Sequence, residues 1–229
     1  MTSERYSRQQ NIVPADKLAK CKITVIGVGA IGRQVALQLA AMGAPELQIV
    51  DFDMVEEANL GAQGFLESDL GKPKVTAVKD LVRAINSNTK ISTEQGPFTI
   101  MMSHGNVVFC CVDQIDTRSF IWQHLSKDKE LKLFIDGRMS AEVLRVLAAH
   151  DAKTKKHYKE TLFAPSEAFR GACTAKTTIY CANIAAGWMI AQFTKWLRGM
   201  EPEVDTTVNI FANEIVSSGG KSNSSWKQD

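Results

Sequence analysis

A glycine-rich turn between an apolar run and an amphipathic segment places the tightest limit on how this chain of 229 residues folds. Residues 22–26, KITVI, form the short β-branched run that is typical of a buried strand. Residues 30–42 repeat apolar side chains at intervals of four, four and three, which predicts a helix that Gly43 ends. Residues 46–53, ELQIVDFD, predict a second strand. A strand, glycine turn, helix and strand in this order form a right-handed parallel unit.

The rest of the chain continues to alternate strands and helices. The further elements predicted from hydrophobic patterning are, in order, helix 74–86, strand 107–111, helix 116–126, strand 131–139, strand 142–151, helix 181–198 and strand 208–216. We expect 142–151 to pair antiparallel at the far edge and the polar segment 151–172 to form a long exposed connection. The sequence therefore predicts an α/β fold with a Rossmann-like, doubly wound, mostly parallel sheet and antiparallel strands at one edge.

Composition and patterning also limit the class of protein. No linker or repeat divides the chain, so we expect one domain over residues 1–216 and a disordered tail over residues 217–229. The 27 Lys and Arg residues against 25 Asp and Glu residues argue against a nucleic-acid or membrane partner. The polar N-terminus predicts no signal peptide, and five cysteines without a C-x-x-C pair argue against disulfides. A cytoplasmic protein is expected.

The glycine turn matches the pattern G-x-G-x-x-G. Gly27, Gly29 and Gly32 follow a predicted strand and open a predicted helix, which is the context that nucleotide binding requires. The glycines let a phosphate approach the helix N-terminus, where unpaired N–H groups and the helix dipole favour negative charge. Asp51 lies 19 residues beyond Gly32, where it is placed to accept hydrogen bonds from ribose hydroxyls. The alternative is a glycine turn that serves only the packing of the helix on the strand.

Further charged residues follow two of the predicted strands. Asp53 lies two residues after Asp51, and Lys74 opens the next helix, where its charge opposes the helix dipole. Lys74 is interpreted either as a partner of a bound anion or as a solvated surface lysine. Asp113 follows the strand at 107–111, at the sheet edge where α/β proteins bind ligands. It is interpreted either as a ligand of Mg²⁺ or as a cap of the following helix.

Five ordered motifs make a resemblance specific. They are RYSRQ (5–9), GVGAIG (27–32), DFDMVEEANLGAQ (51–63), GKPKV (71–75) and CVDQIDTR (111–118). In this order and at this spacing the chain resembles the ThiF/MoeB/HesA superfamily, the ubiquitin-activating-type adenylyltransferases. The resemblance runs from residue 5 to about residue 197, which is nearly the whole chain.

The resemblance implies an enzyme that binds ATP and Mg²⁺ and adenylates the C-terminal glycine carboxylate of a ubiquitin-like or sulfur-carrier protein, usually as a homodimer. It implies that the glycine loop and Asp51 surround the nucleotide and that Asp113 orients Mg²⁺. The phosphate contacts that it implies come from Asn59, Lys74 and Arg8, and the nucleotide site is expected to include Asp53 and Gln63. Positive groups of this kind stabilise the charge that develops on the phosphates during adenylation.

The chain departs from the superfamily pattern in two places. Ala62 stands where members usually carry an arginine that helps to hold the triphosphate. The expected substitutes are Arg8, Arg5 or Lys72. The paired C-x-x-C motifs of many members are also missing, so no structural zinc is predicted.

Cys173 is the predicted candidate for a catalytic thiol. It follows the predicted long connection, in a segment where superfamily members with a catalytic cysteine often carry it. A thiolate there would attack the acyl-adenylate and form a thioester, provided that a basic neighbour or a helix N-terminus lowers its pKa. The alternative is a small buried core residue, which is also how we interpret Cys110, Cys111 and Cys181.

The first functional hypothesis is therefore an ATP-dependent adenylyltransferase that acts on the C-terminus of a carrier protein. The same chemistry would serve adenylation of a small molecule, a peptide or a modified tRNA base. Two other classes are an NAD-dependent oxidoreductase, which shares the glycine loop and Asp51, and a degenerate nucleotide-binding partner protein without catalysis. The motifs of Lys74 and Asp113 argue against the oxidoreductase, whereas Ala62 keeps the non-catalytic protein open.

Overall fold

The computed structural model describes residues 4–163 and 177–218. In chain order the strands are β1 (Lys22–Ile26), β2 (Glu46–Asp51), β3 (Lys90–Gln95), β4 (Val107–Cys110), β5 (Leu133–Ser140), β6 (Val143–Ala149), β7 (Asp205–Asn209) and β8 (Glu214–Ser218). The α-helices are α1 (Ala15–Leu18), α2 (Ala30–Met42), α3 (Glu57–Gln63), α4 (Lys74–Ile85), α5 (Ile115–Leu125), α6 (Ala152–Glu160) and α7 (Ile179–Leu197). Two short 3-10 helices, Glu4–Gln9 and Glu67–Asp69, precede α1 and α4.

The described strands form one sheet in the order β3-β2-β1-β4-β5-β6-β7-β8. From β3 to β5 the neighbouring strands are parallel, and β6, β7 and β8 continue the sheet in antiparallel pairs. The chain runs outward from β1 through β2 to β3 on one side and from β4 to β5 on the other. The strand order therefore reverses between β1 and β4. This topology confirms the predicted α/β fold with a mostly parallel sheet and an antiparallel edge.

Helices cover both faces of the parallel strands, which is why these strands are nearly continuous apolar runs. On one face α2, α4 and α7 pack over fully buried side chains such as Phe109 and Ile135. On the other face α5 and α6 cover Val108 and Phe134, which are also fully buried. The sheet is the middle layer of three, and a fold of this kind binds its ligands beyond the carboxyl ends of the strands.

The local sequence explains both ends of α2, the helix that matters most to the site. The helix starts after Gly29 and ends at Met42, as the spacing of its apolar residues predicts. Gly43 follows with a φ of 93°, in the left-handed region that favours glycine. The ring of Tyr6 lies 2.8 Å from the place that a Cβ on Gly43 would take. The N-terminal 3-10 helix therefore packs on the C-terminal end of α2.

Two predictions of secondary structure were wrong, and one strand had no prediction. The expected connection at 151–172 begins instead with α6, which Asp151 caps by accepting a hydrogen bond from the backbone N–H of Thr154 at 2.7 Å. The predicted strand at 208–216 is a hairpin of β7 and β8, because the chain turns at residues 210–213. The unpredicted β3 is an edge strand of mostly exposed residues, so it lacks the apolar run on which the prediction depends.

The structure also bears on the predicted domain boundary, the predicted tail and the expected lack of a membrane partner. The expected domain boundary at residue 216 falls inside β8, and the expected tail beyond Ser218 lies outside the described residues. Within the part of the chain that the structure describes, no helix combines the length and the apolar character needed to cross a membrane.

Candidate functional site

The predicted nucleotide residues converge where β1, β2 and β4 end. The strand register pairs Ile26, the last residue of β1, with Val50 of β2 and Cys110 of β4. The residues that follow are the glycine loop, Asp51 and the turn that carries Asp113. The strand order reverses at this edge, which is where open α/β sheets bind ligands.

Two of the three glycines are required by the packing of the chain itself. Gly27 has a φ of 82°, and a Cβ there would lie 3.0 Å from the backbone of Cys111 and Val112. A Cβ on Gly32 would lie 1.8 Å from the backbone oxygen of Gly27, which is far inside van der Waals contact. For Gly27 and Gly32 the packing explanation of the motif is therefore sufficient.

Gly29 differs from the other two glycines because no described backbone atom crowds the place that a Cβ would take there. A Cβ on Gly29 would make its nearest contact with Gln63 Oε1, at the ordinary distance of 3.5 Å. That oxygen is buried and has no hydrogen-bond partner among the described residues. Gly29 also caps α2 without a side chain, so the first-turn N–H groups of the helix receive no side-chain acceptor from the cap. Free N–H donors at a helix N-terminus favour a bound anion.

Asp51 ties the glycine loop to the end of β2. One carboxylate oxygen accepts a hydrogen bond from the N–H of Val28 at 2.7 Å, and the other accepts one from the N–H of Asp53 at 2.8 Å. Burial raises the pKa of Asp51 above its ordinary value, although these two hydrogen bonds and the charge of Lys74 act in the opposite direction. Each oxygen keeps a second lone pair with which the carboxylate can accept a hydrogen bond from a ligand.

Lys74 and Asp53 form an ion pair across the entrance to α4. Lys74 Nζ lies 2.8 Å from Asp53 Oδ2, and the backbone N–H of Lys74 donates to the Asp53 carbonyl at 2.9 Å. The lysine side chain is only 6% exposed, against 46% for the aspartate. Lys74 is therefore not a solvated surface lysine. Its ammonium carries three N–H donors, so one bond to Asp53 leaves capacity for a bound anion.

Local structure takes up one of the hydrogen-bonding groups of the Asn59 side chain. Its Oδ1 accepts a hydrogen bond from the N–H of Glu56 at 2.9 Å, and the two residues form the capping box of α3. The side-chain amide nitrogen of Asn59 is the group that can still donate to a phosphate. Ala62, near the end of the same helix, contributes no charge.

Asp113 lies exposed in the turn between β4 and α5. The residue that caps α5 is Gln114, and no side chain donates or accepts a capping hydrogen bond there. The alternative reading of Asp113 as a helix cap is therefore not what the structure has. Within residues 4–163 and 177–218, no three His, Cys, Asp or Glu side chains cluster closely enough to hold a metal ion. A lone carboxylate beside a phosphate site fits Mg²⁺, which proteins hold with one or two carboxylates, substrate phosphates and water.

A buried charge network holds the backbone directly before Asp113. Arg118 forms an ion pair with Asp136, donates to the carbonyl of Val112 and also donates to that of Gly137 at 3.2 Å. Asp136 is fully buried and accepts a second bond from Arg138 at 2.7 Å. Burial lowers the pKa of Arg118 from its ordinary value. This network was not predicted, and its signal in the sequence is the charged pair of Asp136 and Arg138 directly after the apolar run 133–135.

Arg8 is not brought to the glycine loop of its own chain. Tyr6 and Gln9, on either side of it, contact the far end of α2, where Gln9 Nε2 donates to the carbonyl of Met42 at 2.8 Å. Arg8 itself is exposed. The helix between this segment and the loop has 13 residues, which corresponds to a length of about 20 Å. An arginine side chain does not span that distance.

The described cysteines are free thiols, and most of them are buried. Cys110 and Cys181 are fully buried, as predicted, whereas Cys111 follows β4 and is half-buried. Burial raises the pKa of all three thiols above the ordinary value, and it raises that of Cys21 to about 11. Low-pKa nucleophiles are therefore not found among these four. Cys173, the predicted catalytic thiol, lies outside the described residues.

Comparisons with known proteins identify relatives of this chain. A model of the ThiF family matches residues 6–220. Adenylyltransferase and sulfurtransferase MOCS3 of Dictyostelium discoideum is 31% identical over 129 residues, which are 52% of this chain and 30% of that protein. Molybdopterin-synthase adenylyltransferase of Haemophilus influenzae is 29% identical over 126 residues, which are 50% of this chain and 52% of that protein. The matches thus span about a third to a half of these relatives.

Solved structures show the same fold. The crystal structure of E. coli MccB with ATP superimposes with a TM-score of 0.74 at 20% identity, over 95% of this chain and 72% of that chain. The structure of the microcin C7 biosynthetic enzyme MccB in complex with N-formylated MccA gives a TM-score of 0.76 at 18% identity, over 95% of this chain and 72% of that chain.

Proposed function

Because the chain belongs to the ThiF family, we propose that it is an ATP-dependent adenylyltransferase that activates the C-terminal glycine carboxylate of a ubiquitin-like or sulfur-carrier protein. The observation that carries the proposal is Gly29 at the N-terminus of α2, where an added Cβ would contact only the Gln63 side chain and where the cap gives the first-turn N–H groups no side-chain acceptor. Packing accounts for the other two glycines of the loop, whereas a bound phosphate accounts for this one. The adenylyltransferases among the relatives, and the ATP named with MccB, support the choice of nucleotide.

In the proposed reaction a carboxylate oxygen of the carrier attacks the α-phosphorus of ATP. The bond from that phosphorus to the oxygen that bridges to the β-phosphate breaks, and pyrophosphate leaves. The nucleophile is already ionised at neutral pH, so no general base is needed. The protein then contributes positioning and electrostatic stabilisation, which supply most of the rate in phosphoryl-transfer chemistry.

Each part of the site has a role in this scheme. The first-turn N–H groups of α2 hold phosphate oxygens, and Asp51 accepts hydrogen bonds from the ribose hydroxyls. Lys74, held by Asp53, and the amide nitrogen of Asn59 neutralise or bind the departing phosphates. Gln63 Oε1 faces the nucleotide from the end of α3. Asp113 would hold Mg²⁺, which would supply positive charge to neutralise the phosphates.

We extend the proposal to Cys173 and to the assembly. The thiolate of Cys173 attacks the carbonyl carbon of the acyl-adenylate, AMP leaves with its oxygen, and a thioester forms. A homodimer is included because Arg8 lies a helix length from its own loop and reaches a phosphate only when a second copy presents it. The free thiols of the four described cysteines support a reducing compartment such as the cytoplasm.

The test of the proposal is ATP–pyrophosphate exchange in the presence of Mg²⁺ and a panel of small proteins that end in Gly-Gly. We expect exchange with at least one of them and none without a carrier. Asp113→Asn should lower the exchange rate by roughly two orders of magnitude, because it removes a carboxylate from the charged site. Asp116→Asn, in the first turn of α5, is the matched control and should leave the rate unchanged.

A thermal-shift experiment separates this function from the other classes. Mg²⁺ and ATP should raise the melting temperature, whereas NAD should not. Stabilisation by NAD alone would instead support an oxidoreductase. ATP binding without exchange for any carrier, small molecule or peptide would support a non-catalytic nucleotide-binding protein.

A further inference from the structure

Arg33 is a buried cation in the first turn of α2, directly after the glycine loop. The residue is only 7% exposed, and its backbone N–H donates to the carbonyl of Gly29 at 3.1 Å. A positive side chain in the first turn opposes the helix dipole, and burial of a charge without a partner costs further free energy. Burial lowers the pKa of Arg33, which the charge of Asp69 opposes. A buried arginine at this position therefore destabilises the fold unless a partner compensates its charge.

The surroundings of the guanidinium contain no direct counter-ion. Its carbon lies 5.3 Å from the centre of the Phe65 ring, and Nη1 lies 3.3 Å from the place that a Cβ on Gly64 would take. No carboxylate of the described residues lies within 4.0 Å of the guanidinium nitrogens. Arg33 Nε is buried and has no hydrogen-bond partner in that part of the chain.

Two lysines that could supply positive charge to the site, Lys74 and Lys72, already have carboxylate partners. Lys74 pairs with Asp53 at 2.8 Å, and Lys72 pairs with Asp69 at 3.1 Å. The Asp69 carboxylate also accepts a hydrogen bond from the N–H of Leu66 at 3.2 Å. Asp69 thus already serves Lys72 and Leu66, and it acts on Arg33 only at a distance, without a direct ion pair.

A second unpartnered group points to the same place. Gly64, against which the guanidinium lies, follows Gln63 directly, and Gln63 Oε1 is the buried oxygen without a partner over Gly29. A donor without an acceptor and an acceptor without a donor therefore flank the first turn of α2. A ligand that carries both negative oxygens and hydroxyl groups satisfies them together.

We propose that Arg33 is a phosphate-binding residue that contacts the phosphate chain of ATP from the α2 side. The inference rests on the proposed function for the identity of the nucleotide, but its chemistry needs only a polyphosphate anion. Side chains in the first turn of a helix lean toward the N-terminus, which is the direction of the free N–H groups. The planar guanidinium donates two parallel hydrogen bonds to phosphate oxygens, and the low polarity around Phe65 strengthens them. Arg33 supplies the charge that Ala62 does not.

The test compares the wild-type protein with Arg33→Met, which keeps the volume and removes the charge. Arg83→Met is the matched control, because Arg83 is exposed near the other end of α4. Isothermal titration calorimetry measures the affinities for ATP with Mg²⁺, inorganic tripolyphosphate and adenosine. Arg33→Met should weaken ATP and tripolyphosphate binding about 10- to 100-fold, as the loss of a charge-assisted hydrogen bond does. Its affinity for adenosine, and all three affinities of Arg83→Met, should match the wild type.

The unliganded variants separate ligand binding from a structural role. Without ligand, Arg33→Met should melt at the wild-type temperature or above it, because it removes a buried charge that has no partner. If Arg33→Met does not fold, the same titrations on Arg33→Lys test the inference. This variant keeps the charge and loses the planar fork of the guanidinium, so it should bind ATP and tripolyphosphate more weakly than the wild type. Wild-type affinity of the folded variant for tripolyphosphate and ATP overturns the inference, as does a wild-type protein that binds neither. ATP binding that depends on Arg33, without exchange for any carrier, overturns the proposed function and leaves Arg33 as the phosphate-binding residue.

Discussion

The glycine loop allows two alanine substitutions to be predicted with opposite outcomes. In Gly32→Ala the new Cβ meets the backbone oxygen of Gly27 at 1.8 Å, so the backbone has to move by roughly 1 Å or more. In Gly29→Ala the new Cβ meets only the flexible side chain of Gln63, at 3.5 Å. The φ of Gly29 is −74°, so alanine is not forced into the left-handed region. The first variant therefore tests packing, and the second tests the space left for a ligand.

The magnitudes follow from these distances. Overpacking against a rigid backbone should cost Gly32→Ala about 3 kcal/mol or more. In a domain of this size that loss lowers the melting temperature by roughly 6–12 °C. Gly29→Ala should cost clearly less than Gly32→Ala, because its Cβ meets a flexible side chain and no backbone atom. The added methyl group displaces a phosphate oxygen from the helix amides, which should weaken ATP binding about 10- to 100-fold.

Urea unfolding and calorimetric titration with ATP and Mg²⁺ measure both effects on the same preparations. The expected pattern is a stable Gly29→Ala protein with weak ATP binding and a destabilised Gly32→Ala protein. Wild-type ATP affinity in Gly29→Ala would refute the reasoning that a phosphate binds against the backbone of Gly29. Wild-type stability in Gly32→Ala would refute the packing argument for the rest of the loop.

Three further predictions concern the buried charges and the thiol. Asp136→Asn should lower the free energy of unfolding in urea by about 3–5 kcal/mol, because it leaves the buried Arg118 and the half-buried Arg138 short of one negative charge; a loss below 1 kcal/mol would contradict the network. Burial alone would raise the pKa of Asp205, but hydrogen bonds from Arg145 and His157 outweigh it and hold the pKa below its ordinary value. The stability from this carboxylate should thus be complete above about pH 4 and fade as the pH falls further, and a pH series of melting temperatures should show a shallower acid slope in Asp205→Asn. Cys173→Ser should abolish a thiol-sensitive carrier adduct on non-reducing gels while ATP–pyrophosphate exchange continues, and an unchanged adduct would remove Cys173 from the scheme.

The parts of the fold that the sequence predicted correctly have strong local signals. β1 and α2 each combine an apolar pattern with a glycine directly after the last residue, so their types and bounds follow from a few neighbouring residues. The hairpin of β7 and β8 depends instead on a turn at residues 210–213 inside an apolar pattern. α6 buries little more than Thr154 and Tyr158, so its helical periodicity is too sparse to detect.

The candidate site shows the same division between local and long-range information. The positions of Gly27, Gly32 and Asp51 follow from the spacing of one motif. The pairing of Lys74 with Asp53 spans 21 residues and depends on how α4 meets the end of β2. In the sequence Arg33 looks like an ordinary helix residue. Only the structure shows that it is buried and that its Nε has no partner among the described residues.

The most direct test of the central claim is mass spectrometry of a Gly-Gly-ended carrier after incubation with the protein, ATP and Mg²⁺. The proposed function predicts a carrier that gains one adenylyl group at its C-terminus, which is the mass of AMP less that of one water, with one pyrophosphate released for each carrier modified. A carrier of unchanged mass, with no pyrophosphate released from a protein that binds ATP, would contradict it.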